Sequence, residues 1–480
     1  MFGRNKIWWI VVSVIFAGAA LFSTLAVAGK KDNSLNLSLE RELVTLDFYF
    51  QSQREGTVLS QHIFDTLIYR DPDTWEYKPL LAKSFKWVDD VTIDLELREG
   101  IEFHNGEAFG ADDVVYTLNF VNDPGAKIHS PSHVNWMKTV EKLGPHKVRI
   151  HLHKPFPAAF DYLSLVTPIY PAKYYSEAGP KGFGLKPIGT GPYKVEEVAP
   201  GKGLTMVRFE NYFAESPKSR PSIQRINLRF ISELTTKVAE LMTGSLDWAW
   251  LIPKDQAEKL DKMPGLSVDF AESMRIGFLL FNSVSDTPFK DARVRQAVAH
   301  AIDRQAIVDN LVGEASRVLH SVCYPSQVGC IEEGVKKYDY DPEKAKKLLA
   351  EAGYPNGFSF DFYAYRDRSY VEAVIGYLFR VGLKPNLVYV TWPAFREKWQ
   401  GKEAPVAFFT WGSFSINDAS ASTSYFFNTS ADDLAQDPEV QNWLQTGDTN
   451  IDLELRKQVY RKAHQRISEQ MYGLPMFTWV

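Results

Sequence analysis

Two cysteines in 480 residues are too few for a disulfide scaffold or for a cysteine-built metal cluster. Positive charge is not in excess either. The 54 Lys and Arg stand against 59 Asp and Glu, so the basic surplus of a nucleic-acid binder is missing. Beyond the first 28 residues no run approaches the roughly 20 apolar residues that span a bilayer. Internal repeats and low-complexity linkers are absent, as are GxSxG, HExxH and Walker-type loops. The ten His are scattered. His151 and His153 share one strand face, but Val148, Ile150 and Leu152 form the apolar face opposite, so the imidazoles are expected in solvent and no metal site is assigned. The Gly and Pro cluster over 182–192 is followed by a strand pattern, whereas a phosphate loop needs a helix whose amides face the anion. No cofactor is therefore expected.

Aromatic residues are plentiful, with 31 Phe, 22 Tyr and 12 Trp. The first residues read as an export signal: Arg4 and Lys6, an apolar stretch from Ile7 to Ala28, then the small-x-small ending Ala26-Val27-Ala28. The rival is an uncleaved anchor, since the stretch is long enough to span. No Cys follows, so a lipid anchor at a mature N-terminal Cys is excluded. Cleavage after residue 28 takes the formal net charge from −5 to −7 and leaves about 452 residues, enough for two or three domains. In an oxidising compartment Cys323 and Cys330, with Pro325 and Gly329 between them, read as a small disulfide-closed loop contributing about 2 kcal/mol. A metal pair is the weaker alternative, lacking CxxC spacing and a nearby His.

Strand and helix patterns alternate, so the fold class is α/β with mixed sheets. Alternation over 35–39, 92–97, 193–198, 226–230 and 246–251 predicts strands, the last carrying Trp248 and Trp250 on one face. Helices are predicted over 55–69, 111–121, 234–243, 293–312 and 342–352. The 182–192 cluster is expected to be a crossing between domains.

Several ordered blocks carry a resemblance. They are Phe64-Asp65-Thr66-Leu67, Pro79-Leu80-Leu81-Ala82-Lys83-Ser84, the run from Leu97 to Gly106, Pro187-Ile188-Gly189-Thr190-Gly191-Pro192-Tyr193, Asp291-Ala292-Arg293-Val294-Arg295-Gln296-Ala297 with Ala301-Ile302-Asp303-Arg304, and Tyr340-Asp341-Pro342-Glu343-Lys344-Ala345. In this order, from about residue 35 onward, the chain resembles the extracellular solute-binding proteins of family 5, the oligopeptide, dipeptide and nickel receptors of ABC importers. The resemblance implies a three-lobed periplasmic binding protein-like fold (type II, cluster C-like) that closes over ligand by a hinge. Domain I would comprise 29–62, 188–272 and 464–480, domain II 63–187 and domain III 273–463. It further implies a periplasmic, monomeric, non-enzymatic receptor that hands a small-molecule or peptide-like solute to ABC permease membrane subunits. Family members usually continue past this chain's last strand to complete domain I, so either the C-terminal part is truncated or domain I closes with fewer strands.

In some peptide-binding members an Arg three residues before a domain III Trp and an acid three after it grip the peptide. Here those positions around Trp411 are Phe408 and Phe414. A buried ammonium without a carboxylate costs several kcal/mol, so the usual grip is lost. Aromatic faces suit sugar rings, planar chelates or apolar groups instead. Trp411, Phe414, Trp248 and Trp250 are the candidate ligand walls, with Phe408 beside them; for Trp250 core filling is an equal alternative. Arg275, set between hydrophobic residues, needs either a ligand carboxylate or a protein one. Asn417 is a polar candidate, and Gln53 and Arg54 are contacts by resemblance alone. Peptide-like, opine-like and sugar-conjugate solutes all fit. A secreted carbohydrate-active hydrolase, whose paired carboxylates leave no fixed spacing, and a chaperone-like binder of unfolded peptide are the alternatives from other classes.

Overall fold

The computed structural model describes residues 32–480, so the leader expected over 1–28 lies outside the described residues. Those residues fall into two compact units.

The first unit comprises 32–42, Val195–Arg208 and Pro221–Ile252. Its five-stranded sheet runs in the order Trp248–Ala249, Ser34–Leu39, Arg225–Phe230, Gly203–Arg208, Tyr193–Ala199. Ser34–Leu39 pairs parallel with both neighbours, and Asn36 opposite Asn227 accepts its side-chain amide at 2.9 Å. Ile226 and Leu228 are buried while Asn227 and Arg229 are not, as the period of two requires. Gly203 has no room for a side chain, because a Cβ there would lie 1.9 Å from the Leu228 carbonyl oxygen. The helix Leu234–Thr243 stops at Gly244, which takes the left-handed conformation at φ 73°. The strand expected over 246–251 is only Trp248–Ala249, since Leu251 turns the chain at φ 57°.

The second unit holds the remaining residues from Leu43 onward. One of its sheets is antiparallel, ordered Ala82–Asp89, Thr92–Leu97, Lys147–Leu152, Met137–Gly144. The helix Ala111–Asn122 packs on it through Val114, Leu118 and Val121, and the Asn119 amide bonds both polar groups of Val140 at 2.8 and 2.9 Å. The helix expected over 55–69 ends at Ile63, because Asp65 turns inward to an ion pair with Lys218 at 2.8 Å and Ile68–Arg70 becomes a strand.

The larger sheet is ordered Lys384–Tyr389, Ser359–Ala364, Val406–Trp411, Ser273–Phe281, Gly473–Trp479. The first three strands are parallel, and Ser273–Phe281 runs against both its neighbours. Helices cover both faces. Phe360, Phe362, Val406 and Phe408 pack in one core, whereas Phe278, Ala407, Phe409, Phe395 and Trp399 pack in the other. Double coverage explains why Val406–Trp411 and Gly473–Trp479 are apolar and buried almost throughout. The carboxyl ends of the parallel strands and the start of Ser273–Phe281 meet at one edge, where α/β sheets place ligands.

Three expectations need correction here. The stretch 293–312 is not one helix: Ala292–Ala301 ends, and Asp303 caps a new turn by accepting from the Ala306 amide at 2.9 Å. The C-terminal strand Gly473–Trp479, expected in domain I, is buried throughout and pairs with Ser273–Phe281 instead. Gly182 and Gly184, read as part of a crossing, lie in the helix Ala172–Leu185. The Cys323–Cys330 disulfide is present.

Candidate functional site

Trp411 ends its strand at the edge of the larger sheet where the carboxyl ends of the parallel strands lie. Its Nε1 donates to the Ala421 carbonyl at 2.7 Å, and its indole stacks on Tyr425 with centroids 4.4 Å apart. Phe414 follows in the segment Ser413–Ser415, whose three residues have φ of 45, 51 and 60°. None is glycine, so each left-handed residue costs on the order of 1–2 kcal/mol. The turn throws the Phe414 ring edge-on against His133 at 4.5 Å.

These rings wall a cavity of about 260 Å³, with Trp411, Phe414 and Tyr425 contributed by the larger-sheet region and His133, Trp136, Phe156 and Tyr162 by the antiparallel-sheet region. Trp136 and Phe156 stack at 5.2 Å. Two charged residues border the cavity, Lys154 and Asp448. Asp448 closes the helix Pro438–Asp448 and accepts from Tyr460 at 2.5 Å, Ser424 at 2.8 Å and Asn428 at 3.0 Å. Burial pushes its carboxyl up to about 6, against the pull of those donors. Burial, helped by His129, pulls the His133 imidazole down to about 4, so it is neutral at pH 7.

Contact between the two sheet regions is polar as well as aromatic. Arg70 pairs with Asp161 and donates to the Ser415 carbonyl at 2.6 Å. Asp161 in turn accepts from the Asn417 backbone amide. Burial raises the Asp161 carboxyl, and the Arg70 charge opposes that rise. Both groups are satisfied only when the 415–417 backbone is in place, so the pair acts as a latch on the segment that carries Phe414.

The remaining candidates divide. Phe408 has no accessible surface and belongs to the core on the face opposite Phe409; the alternation that places Ala407 and Phe409 on one face puts Phe408 on the other. It is not a ligand wall. Asn417 is buried, and its side-chain oxygen accepts from Ser326 at 2.9 Å, so it serves the protein's own network. Arg275 meets a hydroxyl, Thr410, at 3.1 Å, and a side chain at Gly412 would come within 3.3 Å of its Nη2. Burial first, then the like charges of Arg366 and Arg54, pull its guanidinium down to about 10. Arg366 pairs with Asp367 at 2.8 Å, the carboxylate whose charge also reaches Arg275. Arg54 opens the helix Arg54–Ile63 and Gln53 precedes it, its amide donating to Gln51 at 2.7 Å. Trp248 and Trp250 lie in the first unit with rings 6.0 Å apart, Trp248 being 45% exposed.

Sequence reasoning missed His133, Trp136, Tyr162 and Asp448. They stand far from Trp411 along the chain, in a short turn and in helices whose own patterns are those of ordinary structure. Asp418, near Trp411, is occupied by Arg456 at 2.7 and 2.9 Å. Among the described residues no cluster of three His, Cys, Asp or Glu is arranged to hold a metal, and no helix is long and apolar enough to cross a membrane.

The chain is similar to known binding proteins. Heme-binding protein A of Haemophilus influenzae is 27% identical over 391 residues, 74% of this chain and 70% of that protein. The glutathione-binding protein GsiB of Escherichia coli K12 is 28% identical over 378 residues, 77% of this chain and 71% of that protein. Among solved structures, MoaA of A. tumefaciens R10 in complex with mannopinic acid superposes with a TM-score of 0.76 at 23% identity, covering 93% of this chain and 92% of that one. That likeness gives the α/β fold of the periplasmic binding proteins. Residues 76–433 match the family described as Bacterial extracellular solute-binding proteins, family 5 Middle. The chain belongs to the bacterial extracellular solute-binding proteins of family 5, binding receptors that work with ABC permeases.

Proposed function

We propose that this chain captures a small peptide-like, opine-like or sugar-conjugate solute in the aromatic cavity and delivers it, as a periplasmic monomer, to an ABC permease by hinge closure, without turnover. The observation that carries this reading is the cavity itself: rings from two sheet regions face one space of about 260 Å³. That volume lies near the lower end of small-molecule pockets, roughly 300–1,000 Å³, and favours a compact solute over a macrocycle such as haem. Ring faces of Trp411 and Phe414 suit a sugar or a planar group. Arg275 stands beside Gly412 and does not border the cavity; answered by a neutral hydroxyl and crowded by like charge, it would favour an anionic group on a solute that extends to it. The names of two similar proteins fit this size and charge, since glutathione and mannopinic acid are both compact acids.

The test is native mass spectrometry of the protein purified from a periplasm, followed by calorimetry with the solute it carries. One-to-one capture without chemical change is expected. Conversion of the solute on incubation, or binding of many unrelated unfolded peptides, would replace the receptor reading with a hydrolase or a chaperone.

A further inference from the structure

Three consecutive left-handed residues other than glycine persist only where their surroundings over-determine them. On one side of Ser413–Ser415 stands the Arg70–Asp161 latch. On the other side stands the loop that the disulfide closes. Gln327, buried at the middle of that loop, uses its whole amide group. Its Nε2 donates to the Ser413 hydroxyl at 3.0 Å and to the Ile416 carbonyl at 2.8 Å. Its Oε1 accepts from the Tyr324 amide at 2.9 Å and the Ser422 hydroxyl at 2.7 Å. Ser326 donates to the Asn417 side chain at 2.9 Å, and the Val328 amide donates to the Asn417 carbonyl at 3.0 Å. Three residues of the 413–417 turn, Ser413, Ile416 and Asn417, are therefore bonded directly by a loop of eight. Gln327 does not border the aromatic cavity.

We propose that the Cys323–Cys330 loop is the template of the strained turn, and that Gln327 is a positioning residue for the cavity: it holds Ser413–Ser415 left-handed and thereby sets the Phe414 ring against His133. The inference rests on the receptor reading for its purpose but not for its geometry. A glutamine is required by the bonding pattern. Two donated and two accepted bonds need an amide, and a carboxylate at this position keeps the acceptors while losing both donors. The strain supplies the reason for a template, because a turn that its own backbone disfavours reverts when the outside bonds are removed.

The experiment needs no solute, so its failure and the failure of the receptor reading are separable. Amide hydrogen exchange is followed at Ser415, Ile416 and Asn417 in the full chain, together with the His133 ring-proton shifts that the nearby Phe414 ring displaces. In Gln327→Glu, exchange at the three amides is expected to rise at least about tenfold, with the His133 shifts collapsing toward ordinary values. Ser415→Gly in the same background removes steric cost from one left-handed residue, so it is expected to recover half or more of that loss on a logarithmic scale. A merely structural Gln327 gives no such rescue. The double variant Cys323→Ser with Cys330→Ser is expected to show the same signature at smaller amplitude. Should Gln327→Glu not fold, Ser326→Ala, which breaks only the Asn417 side-chain bond, is expected to raise exchange about threefold. Unchanged exchange, unchanged His133 shifts, or an increase that Ser415→Gly leaves untouched overturns the proposal.

Discussion

Phe408 and Phe414 stand six residues apart, flank Trp411 symmetrically and read alike in the sequence, yet one is core and the other is cavity wall. The difference lies in what surrounds the backbone. Phe408 sits in a strand paired on both sides and covered by helices on both faces, so any side chain there is buried. Phe414 sits three residues beyond the strand end, where the backbone reverses in a disfavoured conformation and side chains meet a second sheet region. Within a doubly covered sheet, residue type carries little functional meaning. At the edge where strands end, it carries most of it.

That contrast can be broken by substitution, beginning with the largest effect. Phe408→Ala is expected to cost about 3–5 kcal/mol of folding stability, measured by urea denaturation, while the folded fraction binds solute with nearly wild-type affinity. Phe414→Ala is expected to do the reverse, with a small stability change and a clear loss of affinity by calorimetry. Comparable losses of stability in the two variants would erase the distinction. Arg70→Met leaves the buried Asp161 carboxylate without its cation, and an effect of about 3 kcal/mol is expected by the same denaturation. Trp411→Ala is expected to weaken binding about 10- to 100-fold, equivalent to about 1.4–2.7 kcal/mol, with the melting temperature little changed.

Acidity sharpens the comparison more gently. His104, His133 and His464 are buried and held near 4, below their ordinary 6.5. Protons therefore bind the unfolded chain more readily, and the stability these imidazoles retain above pH 6.5 is lost as pH falls toward 4. Asp47 and Asp448, raised to about 6, act in the opposite sense: their contribution is present below the ordinary carboxyl value and lost as pH rises through 6. Thermal melting from pH 7 to pH 4 is expected to show a net fall, and His133→Phe is expected to make that fall shallower. A melting temperature that rises on acidification contradicts the histidine assignment.

Much of the fold was legible because it rests on local signals. Strands at 92–97 and 226–230 alternate with period two, Gly244 stops its helix, and the seven-residue separation of Cys323 and Cys330 suits a closed loop in an exported protein. What was not legible depended on partners distant in sequence. Asp303 interrupts an apolar run that reads as one helix because a capped turn satisfies its carboxylate there. Phe408 looked like site because its strand's second cover is made by helices elsewhere in the chain. Half of the cavity comes from His133, Trp136, Phe156 and Tyr162, whose local patterns announce only a turn, a loop and a helix, and the left-handed run at 413–415 contains none of the glycines that usually mark one.

Retention of solute by the cavity tests the receptor reading most directly. Wild type and Trp411→Ala, each purified from the same periplasm without denaturation, are compared by native mass spectrometry with melting temperatures measured in parallel. The expected result is one compact, anionic solute per wild-type chain and little or none on the variant, at similar melting temperatures. Equal retention by both proteins would remove the aromatic cavity as the place of capture.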